Sequence, residues 1–117
     1  MFGQKLSETV KGVGGGIAAI LMGFDGIPVD SHMEDESMDV ETLGMEFSVI
    51  LKEVRKVAVL LDVGNADELV VKADKLATVV RAVNEEYFVA LFMTPDGNLG
   101  KARYLLRVLT PLFRAEL

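Results

Sequence analysis

Apolar residues recur four apart at Phe2, Leu6 and Val10, which predicts a short amphipathic helix over Phe2 to Val13. Gly12, Gly14, Gly15 and Gly16 end it. The run Ile17 to Met22 is apolar at every position and bounded by Gly16 and Gly23. Such a run predicts a strand covered on both faces. Asp25-Gly26 supplies a two-residue hairpin turn, because glycine accepts the positive φ that such turns demand. A second strand is expected from Ile27 to about His32. Pro28 cannot donate to a ladder and the run turns acidic, so this strand belongs at a sheet edge.

After the acidic segment Met33 to Asp39, Ser37 or Asp39 can cap a helix. Val40, Leu43, Phe47, Ile50, Val54, Val57 and Leu61 then alternate in spacings of three and four, an apolar seam at helical period. Gly64-Asn65 stops it. This longest element also carries apolar residues off its seam, Met45, Val49, Val59 and Leu60, where water is expected. A second surface is expected to cover them.

Three strand-like runs follow, Glu68 to Lys72, Leu76 to Val83 and Tyr87 to Met93, with turns at Ala73-Asp74 and Asn84-Glu85. Short connections make them an antiparallel meander. The continuously apolar runs Ile17 to Met22 and Tyr87 to Met93 are expected to be the central strands. Asn98 is a candidate N-cap for a closing helix over Leu99 to Leu117, with Leu105, Leu106, Leu109, Leu112 and Phe113 inward and a kink or a separate last turn at Pro111. The order is α-β-β-α-β-β-β-α. It predicts an α+β fold in which a five-stranded antiparallel sheet carries the long helix on one face and the two terminal helices on the other.

Composition narrows the function. At 117 residues, one domain over 1–117 is expected. Half the residues are hydrophobic and the mean hydropathy is +0.34, a high value for so short a chain with so much surface to cover. The net charge of −6 disfavours a nucleic-acid partner, which is held through clustered Lys and Arg. The chain has no Cys, which removes thiolate metal sites and thiol nucleophiles. No basic and apolar leader opens it and no apolar run is long enough to span a bilayer, so the expectation is a cytoplasmic protein without membrane insertion.

Gly14 to Asp30, GGGIAAILMGFDGIPVD, resembles the opening hairpin of Roadblock (dynein-light-chain-like) domains, in which an apolar strand runs into an Asp-Gly-hydrophobic turn. The helix ending near Gly64, the run Leu69 to Asn84 and the closing Gly97 to Arg107, GNLGKARYLLR, are similar to the bacterial, MglB-like members of that family. The resemblance extends over nearly the whole chain. It implies a profilin-like fold and a homodimer whose sheets join edge to edge and whose long helices pair, forming a platform for a small Ras-like GTPase. Some members act as GTPase-activating partners and others as adaptors, so a structural adaptor for non-GTPase partners is the alternative.

Candidate chemistry is sparse. Gly12 to Gly16 invites a phosphate-loop reading, but it precedes a strand and no Gly-Lys-Ser or Gly-Lys-Thr follows. His32 stands among Asp30, Glu34, Asp35 and Glu36, a pattern that reads as a solvated acidic loop. Ser48 has no base near it in sequence and reads as a small residue at a helix contact. No catalytic residue, cofactor or metal is assigned, and a non-catalytic regulator is expected. A small-molecule sensor would need a cavity in the sheet and helix sandwich. The dimer or partner interface is assigned to Met45, Val49, Lys52, Arg55, Lys56, Val59 and Leu60. Lys101, Arg103, Arg107 and Arg114 make the closing helix basic.

Overall fold

The computed structural model describes all residues from Met1 to Leu117. Eight elements follow in the order α1 (Phe2–Lys11), β1 (Gly16–Gly23), β2 (Pro28–Met33), α2 (Val40–Leu61), β3 (Glu68–Lys72), β4 (Ala77–Ala82), β5 (Tyr87–Met93) and α3 (Leu99–Glu116). The strands form one antiparallel sheet in the order β2-β1-β5-β4-β3. β5 and β1 lie inside it, as their unbroken apolar runs require, and the Pro28-containing β2 lies at one edge. The connection from β1 to β2 is longer than a two-residue turn. It runs from buried Phe24 to Ile27, with Gly26 at φ 86° and the Asp25 carboxylate accepting from the Ile27 amide at 3.0 Å.

Strand alternation divides the core in two. Ala19, Leu21, Val79, Val89, Leu91 and Met93 face α1 and α3, where Leu6, Val10, Leu106, Leu109 and Phe113 close over them. Phe2 packs edge-on against Phe113 at 5.1 Å, which joins the two terminal helices. Ala18, Ile20, Met22, Val80, Phe88, Ala90 and Phe92 face the other way, toward Val40 and Leu51 of α2. α2 lies across β1 and reaches β2.

Caps fix the helix ends. Asp39 is the N-cap of α2; its carboxylate accepts from the Thr42 amide at 3.1 Å and the Thr42 hydroxyl at 2.7 Å, and these bonds hold its pKa below the ordinary carboxylate value. α2 ends at Leu61, three residues before Gly64, and is capped by Asp62 in the left-handed region with φ 55°. Asn98 caps α3 through the Lys101 amide at 3.0 Å. Pro111 neither ends α3 nor starts a separate turn. The carbonyl it leaves without a donor belongs to Arg107, an exposed position open to solvent. Leu112, expected inward, is exposed.

The inward face of α2 departs from the seam read in the sequence. Val40 is buried and Leu43, Phe47 and Val54 are half-buried, but Ile50, Val57 and Leu61 face outward. Gly44, Ser48, Leu51 and Ala58 are buried instead. A repeat of strictly seven residues drifts by about 20° per heptad around a straight helix of 3.6 residues per turn, so the seam rotates off the sheet toward its C-terminal end. The sheet selects the small residues. A Cβ on Gly44 would stand 3.0 Å from the Met22 methyl and 3.3 Å from Ile20, so glycine lets α2 approach β1 closely.

Candidate protein-binding surface

The outer side of α2 is apolar over most of its length. Met45, Val49 and Leu60 lie along its crest, Val59 on one flank, and Ile50, Val57 and Leu61 on the other. Leu60 is 84% exposed and Val59 76%, values that leave their transfer to an apolar environment entirely to another surface. Val63 continues the patch just past the helix. Lys52 and Lys56 interrupt the crest, and Lys56 pairs with Glu53 at 3.1 Å; both partners are solvent-exposed, so the pair contributes little. A shallow hollow of about 460 Å³ lies between Arg55, Lys56, Val59 and Leu60.

Arg55 sits differently from the other residues assigned to this surface. It points from the flank of α2 down to the turn between β4 and β5, donating to the Asn84 and Glu85 carbonyls at 3.1 Å each. Its guanidinium carbon lies 3.6 Å from the centroid of the Phe24 ring, and Phe24 packs on Phe88. Burial lowers its pKa, with Glu85 and Asp67 opposing the shift. Arg55 ties the helix to that turn, and Lys52 and Lys56 are the exposed cations of α2.

The sheet edge at β3 is a second open feature. β3 pairs only with β4, so one row of its backbone groups is open, and it contains no proline. Val70 and Val71 on it are exposed.

Other candidate residues serve local structure. Gly12 to Gly16 turn the chain from α1 into β1; the Gly15 carbonyl accepts from the Thr94 amide at 2.9 Å and the Gly14 carbonyl from the Asn98 amide at 3.2 Å. A Cβ on Gly16 would collide with the Val10 carbonyl oxygen, a backbone atom that cannot step aside. Gly16→Ala is therefore expected to lower stability by about 1–3 kcal/mol in denaturant melts. His32 Nε2 stands 3.6 Å from a Glu34 oxygen and has no hydrogen-bond partner. Asp30 and Asp35 accept from the Ser31 and Ser37 amides, so these acids are turned to their own backbone, and no group of three His, Asp or Glu side chains is placed to hold a metal ion. Buried Ser48 donates to the Met45 carbonyl at 2.6 Å and fills a narrow helix contact. No helix is long and apolar enough to cross a membrane.

Neither a family model nor any curated protein sequence matches the chain. Solved structures do. The chain is 40% identical to MglC from Myxococcus xanthus over 97% of both chains, with a TM-score of 0.70. It superposes with a TM-score of 0.88 on a Roadblock/LC7 domain from Streptomyces avermitilis, at 18% identity over 97% of this chain and 94% of the other. The chain belongs to the Roadblock/LC7 family. The gliding protein MglB from Thermus thermophilus shares the fold as well, at a TM-score of 0.85 and 17% identity over 96% of this chain and 84% of that one. In sequence this Roadblock domain is nearer to that MglC than to that MglB.

Ile50, Val57, Leu61 and the β3 edge belong to the exposed apolar surface that the residue pattern alone did not reveal. One signal was present: Gly44, Ser48 and Ala58 mark the face on which a helix comes closest to its neighbour, and the residues opposite them face outward.

Proposed function

We propose that this Roadblock domain, residues 1–117 as one unit, is a cytoplasmic homodimer that binds a small Ras-like GTPase on the platform made by its two α2 helices. The apolar stripe Met45, Val49, Leu60 with Val59 and the flank Ile50, Val57, Leu61 carries the reading. A stripe of that extent on a lone molecule costs solubility and marks a contact surface. The open β3 edge supports joining of the sheets, and the family supports the architecture. A two-fold axis would pair each α2 with its copy, with Lys52 and Lys56 meeting acidic groups of the facing partner.

Its role toward the GTPase is positional. Arg55 is the only arginine on α2 and is spent on Asn84, Glu85 and Phe24, so α2 offers no free guanidinium to a transferring phosphoryl group. Any acceleration of hydrolysis then comes from ordering the GTPase's own groups. That same observation favours the adaptor as a second reading. The test is size-exclusion chromatography of the protein with the Ras-like GTPase of its own genome, loaded with GDP or a non-hydrolysable GTP analogue. Co-elution in one nucleotide state is expected, and separate elution in both would end the GTPase reading while leaving the dimer to stand.

A further inference from the structure

On the face of the sheet opposite α2, where α3 meets the β3 edge, two guanidinium groups hold one carboxylate and a third stands beside them. Arg81 on β4 stands opposite Glu68 on β3 in the strand register, and its Nη1 is 3.5 Å from Glu68 Oε2. Arg103, from the first turns of α3, grips the same carboxylate with two nitrogens, Nε to Oε1 at 2.6 Å and Nη2 to Oε2 at 3.4 Å. Those bonds raise the pKa of Arg103. Arg107, one turn further along the same flank, has no carboxylate within ion-pair distance; its neighbour is the Tyr104 ring, 5.7 Å from the guanidinium carbon. The three arginines, Glu68, Tyr104 and Gly100 line an open hollow of about 250 Å³.

This concentration of positive charge runs against the chain as a whole. The net charge is −6, and residues 12–51 carry eight carboxylates and no Lys or Arg, whereas residues 99–117 carry four basic side chains and one acid. Three guanidinium groups against the single carboxylate of Glu68 leave positive charge in excess, and the arrangement is relieved when a ligand brings a further anion. Guanidinium forks fit planar or tetrahedral oxyanions. Two features select protein carboxylates. Glu68 already shows the cluster gripping a carboxylate with two nitrogens of one guanidinium. Beside the arginines lie exposed Tyr104 and Val108 on α3, apolar neighbours that inorganic phosphate leaves bare. The eight carboxylates elsewhere repel an extended polyanion such as nucleic acid or an anionic bilayer.

We infer that Arg81, Arg103 and Arg107 form a docking site for a partner segment that alternates acidic and apolar residues, separate from the α2 platform. The domain then has two working faces, and one protein held at α3 is linked to whatever α2 holds. The site is complete within one chain and does not rest on the dimer or the GTPase.

Fluorescence anisotropy of the full chain tests it with a labelled peptide of alternating glutamate and leucine, a lysine-leucine counterpart, inorganic phosphate and vesicles of anionic lipid. The glutamate-leucine peptide is expected to bind, and to bind more weakly as salt rises from about 50 to about 300 mM. Arg107→Glu, at an exposed position with no hydrogen bond to lose, is expected to weaken binding by about tenfold or more at an unchanged melting temperature. Arg107→Lys should retain part of it, and Val49→Lys all of it. Equal affinity for Arg107→Glu, displacement of the peptide by phosphate, preference for the vesicles, or no binding of any probe would each overturn the proposal. So would a salt-sensitive rise of mass with concentration that Arg107→Glu abolishes, because Glu34, Asp35 and Glu36 of a second copy would then be the occupant.

Discussion

Val49→Lys is expected to split the dimer. Val49 lies on the crest of α2 between Met45 and Lys52, and its side chain is 55% exposed with nothing beneath it to lose in the monomer. In a two-fold contact every position is used twice, so one substitution removes two buried valines and introduces two ammonium groups. Each lost valine accounts for about 1.5 kcal/mol and each desolvated charge for more, so the dimer loses about 3 kcal/mol at least, or two orders of magnitude in dissociation constant. Val59→Glu, on the flank, should act in the same direction with a smaller effect. Sedimentation velocity at micromolar protein measures the shift, and an unchanged melting profile at matched oligomeric state separates it from unfolding. Two dimers as tight as the wild type would place the contact on another face.

Leu51→Ala is expected to cost about 2–5 kcal/mol of stability, and Ile50→Ala, one residue earlier, no more than about 0.5 kcal/mol in the monomer. Leu51 is fully buried in the layer between α2 and the sheet, whereas Ile50 is 41% exposed on the far flank. Denaturant titrations of both variants in the Val49→Lys background remove the dimer from the comparison. The order of the two reports the rotation of α2 about its axis. If Ile50→Ala were the more damaging, the strict heptad seam would be the inward face and Ile50, Val57 and Leu61 would not belong to the outer surface. Phe47→Ala should fall below the usual range for a buried phenylalanine, since Phe47 is half-buried and stacks on Phe92 at 5.9 Å.

Leu51 and Ile50 also show where the amino-acid pattern ran out. The strands were readable because Ile17 to Met22 and Tyr87 to Met93 are apolar at every position, and only a strand covered on both faces tolerates that. The cap Asn98 was readable from residue type and place, and Asp39 as one of two candidates with Ser37. The phase of α2 was not, because Val, Ile and Leu occur on both its faces, so no wholly polar side orients the count. Lys52, Lys56 and the crest residues Met45, Val49 and Leu60 were found on the outside, with Val59 on the flank, where the excess of apolar residues had put them. The anchoring contacts of Arg55 were hidden for a plain reason. Its partners, the Asn84 and Glu85 carbonyls and the Phe24 ring, are distant in sequence and are backbone or aromatic groups that no charge pattern announces. The sharing of Glu68 by Arg81 and Arg103 was hidden likewise, since it depends on β3, β4 and α3 meeting at one edge.

The particle mass of the unmodified protein, measured by light scattering at micromolar concentration, tests most directly whether a second copy covers the outer side of α2. Pairing of the helices predicts twice the chain mass of 12.7 kDa, held on dilution to the low micromolar range and reduced to one chain by Val49→Lys. A 12.7 kDa particle at every concentration, with Leu60 and Val59 left in water, would contradict it.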